Sequence, residues 1–174
     1  YSVVRYLASP VQNASGPHVS DPRSGEILES DINWYHNVMT LLRNWYFVQT
    51  AAINPDARNV AFKDEVMGRL IRFVSSHEVG HTLGLPHNMG SSVAYPVDSL
   101  RSASFTKKYG TAPSIMDYAR FNYVAQPGDG DVALMPNIGV YDKYAIKWGY
   151  KPIPGVSAVD EKGTLDDWIL EHAG

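Results

Sequence analysis

The stretch His77-Glu78-Val79-Gly80-His81-Thr82-Leu83-Gly84-Leu85-Pro86-His87 decides how the rest of the chain is read. It contains H-E-x-x-H and runs on as H-x-x-G-x-x-H. Residues four apart lie one above the other on a helix face, so His77 and His81 can direct their imidazoles at one metal ion. Glu78 is offset by one residue from the first of them. Its carboxylate is better placed to hold a water at the metal than to bind the metal, which is the position of a general base. Gly84 can take the left-handed backbone conformation that ends a helix, so the chain turns sharply and returns His87 toward the same point. In the other common design the third ligand is a glutamate on a later helix, yet no Glu occurs between Glu78 and Glu161. The residues therefore read as a catalytic zinc site of three neutral imidazoles, His77, His81 and His87, with one open position.

H-E-x-x-H alone also arises by chance on amphipathic helices. The spaced glycine and third histidine argue against chance, and so does a second feature downstream, Ser114-Ile115-Met116-Asp117-Tyr118. Together they resemble the metzincin clan of zinc endopeptidases, in which a tight turn carrying a methionine lies beneath the zinc site. The resemblance implies that supporting role for Met116, which on its own reads as a gap-filler of the core. The Met-x-Tyr ending resembles astacins and serralysins, and Thr82-Leu83-Gly84-Leu85 resembles serralysins. For Tyr118 this implies a catalytic role, either donating a hydrogen bond to the oxyanion or serving as a displaceable metal ligand. The plain alternative is packing beside the turn.

The chain also departs from these families. Asn88 follows the third histidine, no Gly-rich calcium repeats follow, and the lack of Cys excludes the disulfides of astacins and adamalysins. His87-Asn88-Met89-Gly90-Ser91-Ser92 and Tyr118-Ala119-Arg120 are similar to a group of large bacterial zinc-dependent metalloproteases. The resemblance implies an α+β fold: a short mixed sheet with an edge hairpin, the zinc-binding helix, the methionine turn and a C-terminal helix. It also implies one catalytic Zn2+, a peptide or protein substrate, and a secreted, periplasmic or cell-surface location.

With 174 residues, 44% of them hydrophobic, the chain has the size of one domain able to bury a core. Fifteen basic and 18 acidic residues give a formal charge of -3 with no long blocks, which makes no case for nucleic acid or an anionic membrane as partner. Zero Cys fits a reducing compartment or a disulfide-free export route alike. No run reaches the ~18 apolar residues of a membrane span. Tyr1 starts inside a strand-like stretch with no initiator Met or signal peptide, so the expectation is an N-terminally truncated piece of a longer protein with further domains. Residues 1–155 read as the catalytic domain, its upper part about 1–84 and its lower part about 85–150. Residues 156–174 read as a linker or the start of a following region.

Tyr1 to Ala8 is rich in strand formers. Asn13 to Ser20 leads into the turn signal Asp21-Pro22-Arg23-Ser24-Gly25, and Glu26 to Trp34 then alternates polar and apolar, so a hairpin is expected. Metzincins use such a strand as the edge that receives an extended substrate. His36 to Ala52 carries apolar residues at three and four, and Asp64 reads as the N-cap of the helix that bears His77 and His81. A helix over Asp98 to Tyr109, stopped by Gly110, is expected to wall the specificity pocket. Pro127-Gly128-Asp129-Gly130-Asp131 could bind Ca2+, since closely spaced carboxylates and carbonyls suit a hard cation, but Asp129 and Asp131 are its only acidic groups and a solvated turn is the better reading. Ile138 to Tyr150 reads as the helix after the methionine turn, stopped by Gly149 and Pro152. Thr164 reads as the cap of a last helix over Leu165 to His172.

The mechanism implied is peptide hydrolysis with Glu78 as the base. Two rivals are an inactive zinc-binding interaction module and a zinc hydrolase of a non-peptide amide. Retention of Glu78 argues against the first, since a structural site needs ligands but no base.

Overall fold

The computed structural model describes residues 2–172 and is an α+β fold. Four strands form a small mixed sheet: β1 (Ser2–Leu7), β2 (Ala14–Ser15), β3 (His18–Ser20) and β4 (Ile27–Tyr35). β4 lies at its centre, with β1 parallel on one side and β2 and β3 antiparallel on the other. The β3–β4 hairpin closes where expected. The Asp21 carbonyl accepts from the Gly25 N–H at 2.7 Å, and Gly25 takes a φ of +77° that a residue with a side chain would resist.

One expectation about the sheet is corrected. Glu26 to Trp34 is not a free edge, because β1 occupies the side left open by the hairpin, pairing Ser2 with Ser30 through to Leu7 with Tyr35. The alternation does place one face inward: Ser30, Ile32 and Trp34 are all buried. Alternation reports which face is covered, and it cannot report how many neighbours a strand has. The free edges are β1 on one side and β2–β3 on the other. β1 leaves Val4 and Tyr6 largely exposed.

Two helices carry the core beneath the sheet. In α1 (Val38–Thr50) the buried residues Val38, Leu42, Tyr46 and Thr50 recur every four positions, which places them on one stripe. In α2 (Asp64–Thr82) the buried series is Leu70, Phe73, Val74, His77 and Glu78. The same stripe that anchors α2 therefore delivers the first histidine and the glutamate inward. Leu42 and Leu70 are fully buried, and burial of each contributes about 1.5–3 kcal/mol. Phe121, equally buried, sets its ring edge-on to Tyr46 and to Phe73 at centroid distances of 5.0 and 5.9 Å, tying both helices to the segment after the methionine turn. Asp64 is the first residue of α2 and not its cap. With Glu65 it places carboxylates in the first turn, where the helix dipole favours negative charge.

The expected helix over Asp98 to Tyr109 is two, α3 (Val97–Leu100) and α4 (Ala103–Tyr109). Ser102 separates them, because its hydroxyl accepts from the Phe105 N–H and starts a new helix. Gly110, at φ +76°, ends α4 as expected. α5 (Val140–Tyr150) includes Gly149 in its last turn, and α6 (Lys162–Leu170) starts after Glu161, leaving Thr164 inside the helix and not at its cap. α6 lies against α5, with Lys147 Nζ 4.6 Å from the Trp168 ring centroid and the His172 ring 4.6 Å from that of Tyr144. In the turn at 127–131, Asp129 gives both oxygens to Arg101, and one of them also accepts from the Gln126 N–H. An ion pair fastens this loop.

The first turn of α5 also holds the methionine turn. Asp142 is buried and accepts from Ser114 Oγ at 2.6 Å, the Ile115 N–H at 2.7 Å and the Gly139 N–H at 2.7 Å. So close is the approach that a Cβ on Gly139 would stand 1.8 Å from the Pro113 carbonyl oxygen. Gly139→Ala should therefore cost at least the ~3 kcal/mol at the top of the overpacking range, whereas Gly68→Ala in α2, whose Cβ would meet nothing within 4 Å, should be neutral or stabilising by up to ~1 kcal/mol. Denaturant unfolding of the two variants checks the contrast, and equal stabilities would refute it.

Candidate metal centre

α2 ends on a Schellman motif. The Gly84 N–H donates to the His81 carbonyl at 2.9 Å and the Leu85 N–H to the Gly80 carbonyl at 3.0 Å, with Gly84 at φ +85°. This turn reverses the chain within a few residues of His81 and brings His87 back over it. The imidazole nitrogens of His77, His81 and His87 lie within 4.8 Å of one another, and among the described residues they are the one such cluster. His18, His36 and His172 take no part in it.

The ring orientations suit a metal. The His77 Nδ1–H donates to the Ile115 carbonyl at 2.8 Å, and the His81 Nδ1–H donates to the Leu85 carbonyl at 2.9 Å. A carbonyl only accepts, so the facing nitrogen carries the hydrogen and Nε2 is left with a free lone pair. The Nε2 atoms of His81 and His87 are 3.0 Å apart, close to the ~3.3 Å that two tetrahedral ligands keep at zinc–nitrogen bond lengths of ~2.0–2.1 Å. Burial pushes the His77 pKa down to about 4, and the neighbouring imidazoles and Arg120 add to the effect against the Ile115 carbonyl. His87 is also lowered, by desolvation and by His81. Near neutral pH both are unprotonated, as ligands must be.

Glu78 is buried beside His77. Burial pushes its pKa up to about 7, while the Gly16 N–H facing the carboxylate pulls it the other way, and a dication nearby would lower it further. Gly16 is itself a close approach: a Cβ there would be 2.4 Å from the Glu78 backbone oxygen. The strand before the hairpin thus lies directly on the ligand helix. Tyr118 is exposed, with its ring 4.6 Å from that of His87 and 5.6 Å from that of His77.

Met116 lies under the helix. Its sulfur would be 2.2 Å from a Cβ placed on Gly80, the second of the two residues between Glu78 and His81. The Asn88 N–H donates to the Met116 carbonyl at 3.0 Å, so neighbouring carbonyls of one turn, Ile115 and Met116, hold His77 and the segment that carries His87. Asp117, also buried, accepts from Ser91 Oγ at 2.8 Å and the Ser92 N–H at 2.7 Å and fastens the same loop.

A model of the Met-zincin family matches residues 59–174. The chain belongs to the Met-zincin family. The membership suggests a zinc metalloprotease-like function, and the triad suggests zinc as the metal. Neither the curated proteins nor the solved structures give a significant match.

All six residues expected at the site, His77, Glu78, His81, His87, Met116 and Tyr118, lie together in this Met-zincin chain. Sequence reading missed Asp117 and Asp142, the two buried carboxylates that pin the turn, as well as the close approaches at Gly16 and Gly80. For Asp142 a signal existed: an acid three residues after Gly139 at the start of a helix is an N-terminal capping pattern. The others depend on contacts between distant segments. Of the helix expected to wall the pocket, Val97 and Leu100 of α3 line a separate cavity that Tyr118 and Arg120 also line. The cavity beside His77 and Glu78 is walled by α1, α2, residues 12–14 and residues 117–120.

The Gly80–Met116 contact yields a sign test. Alanine normally stabilises a helix over glycine by up to ~1 kcal/mol, but here Met116 is fully buried and its Sδ, Cε and Cγ all lie within 4 Å of the new Cβ. Gly80→Ala should destabilise by ~1–3 kcal/mol in the native background and become neutral or stabilising in a Met116→Ala background. A double-mutant cycle by denaturant unfolding measures it. Additive effects would contradict the packing.

Proposed function

We propose that this Met-zincin is a zinc-dependent endopeptidase in which Glu78 is the general base. The observation that carries this reading is the convergence of three imidazoles on one point with a buried carboxylate, supplied by the same helix, immediately beside it. His77, His81 and His87 would hold the metal, whose chemistry there is Lewis acidity toward a scissile carbonyl and toward water. Glu78 takes the proton of the attacking water and returns it to the leaving amine, two transfers within reach of one carboxyl group that burial shifts toward its neutral form. Its burial withholds bulk water from that proton. Tyr118, exposed and beside His87, donates its hydroxyl hydrogen to the oxygen on which charge develops. Met116 and the buried carboxylates of Asp117 and Asp142 position the ligands and touch no reacting atom.

Glu78→Gln should keep the metal at one equivalent, because the imidazoles and their carbonyl partners are untouched, and lose roughly 10²–10⁴-fold in turnover. Metal content and cleavage of a proteome-derived peptide mixture followed by mass spectrometry decide the matter. A Gln variant with near-native kcat removes Glu78 from the mechanism. Wild-type protein that holds the metal and cleaves no peptide removes the peptidase reading.

A further inference from the structure

The pocket beside the candidate metal centre contains a cation that no residue neutralises. Arg120 is half-buried, lines the same cavity as His77 and Glu78, and forms none of the ion pairs among the described residues. Arg5, Arg23 and Arg101 pair with aspartates, and Arg43 and Arg58 donate to backbone carbonyls. Arg69 and Arg72 also lack such partners, but they are exposed and solvated. Arg120 is instead held by aromatic faces: its Cζ is 3.6 Å from the Trp45 ring centroid and 4.8 Å from that of Tyr118. Stacking of this kind fixes the plane of a guanidinium and leaves its in-plane N–H donors available.

Its backbone is also unusual. Arg120 has φ +59°, the one positive value at a non-glycine among the described residues. The next N–H, that of Phe121, is tied to Gln49 Oε1 at 3.0 Å, which holds the chain in place there. A strained backbone that aims a cation into a cleft next to a reaction centre points to a use for that cation. The cleft measures about 280 Å³, roughly nine waters at ~30 Å³ each, which is room for one side chain. Its inner walls are apolar, with Val38, Leu41, Phe73 and Val74. Of the two carboxylates on its lining, Asp117 gives Oδ2 to Ser91 and Ser92, Glu78 faces the Gly16 N–H, and neither forms an ion pair with Arg120.

We propose that Arg120 is a specificity-determining residue that receives a substrate carboxylate in this pocket, so that the enzyme selects an acidic residue next to the bond it cleaves. The inference rests on the peptidase reading. Desolvation already disfavours the charged guanidinium, and a carboxylate in its plane would restore what water no longer supplies. The same chemistry could come from a chain-terminal carboxylate, and the test separates the two sources.

The zinc-loaded chain is titrated calorimetrically with non-cleavable reduced-amide hexapeptides, acetylated and amidated, that carry Glu, Gln or Lys at the central position. A fourth peptide carries Gln there and a free C-terminal carboxylate. The Glu peptide should bind at least roughly tenfold tighter than the Gln peptide, about the worth of one charge-assisted hydrogen bond, and the Lys peptide weaker than both. Tightening of the free-ended peptide in place of the Glu peptide still supports carboxylate capture and assigns it to the chain end. Arg120→Ala should erase the preference, and Arg120→Glu should turn it toward Lys. Equal affinities for the Glu, Gln and free-ended peptides in the wild type overturn the proposal without any variant, as does a carboxylate preference that survives in Arg120→Ala. Cleavage of peptide mixtures with no acidic preference overturns the role of Arg120 and leaves the peptidase reading standing. Failure of every peptide to bind overturns both.

Discussion

The hydrogen bond from His77 Nδ1 to the Ile115 carbonyl is the constraint on which the candidate centre depends. It joins the ligand helix to a turn far away in sequence, and it fixes both the tautomer of His77 and the direction of its free lone pair. A carbonyl can do this only if its own peptide is immobile. Here the N–H of that peptide, Met116's, donates to Ser114 Oγ at 3.1 Å, Asp142 in turn accepts from Ser114 Oγ and from the preceding peptide's Ile115 N–H, and Met116 packs against Gly80. The buried carboxylate at the start of α5 thus acts on the imidazole through one intervening turn. Ligand geometry in this chain is a property of the packing between two segments and not of the helix alone.

A division of labour follows between the two halves of the motif. His77 and Glu78 lie on the buried stripe of α2, where desolvation moves both pKa values toward the neutral forms, to about 4 and about 7. His87 is exposed and reaches the centre through the Gly84 turn. The inner ligand is preorganised by the core, and the outer one by a loop that Asp117 and the Asn88 N–H tie to the methionine turn. Tyr118 stands beside His77 and His87, and the Arg120 pocket borders His77 and Glu78.

Much of this was legible in the sequence because it is local. The His77–His81 spacing, the Gly84 stop, the β3–β4 turn and the stripes of α1 and α2 each depend on residues within a turn or two of one another. The misreadings have a common cause. The central place of β4 depends on pairing with β1, and the division between α3 and α4 on whether Ser102 caps a new helix or continues the old one, alternatives that residue type alone leaves open. Gly80 read as an unremarked position inside the motif, although its missing side chain makes room for a sulfur 36 residues away. Asp117 looked like an ordinary polar residue, and the capping pattern at Asp142 did not reveal that its carboxylate would also be buried against the Ser114 hydroxyl and the Ile115 N–H. Arg120 was visible only as part of a family-like tripeptide, and its meaning depends on Trp45 from α1.

The central claim is that one metal ion is held where the three imidazoles converge. Anomalous diffraction from crystals of the zinc-loaded protein, recorded on both sides of the zinc absorption edge, tests it most directly. A single strong site is expected, bonded by Nε2 of His77, His81 and His87, with the Nδ1 atoms of His77 and His81 still on the Ile115 and Leu85 carbonyls. A strong zinc site elsewhere with the triad empty, or a metal bonded through Nδ1 with those carbonyl contacts broken, would contradict it.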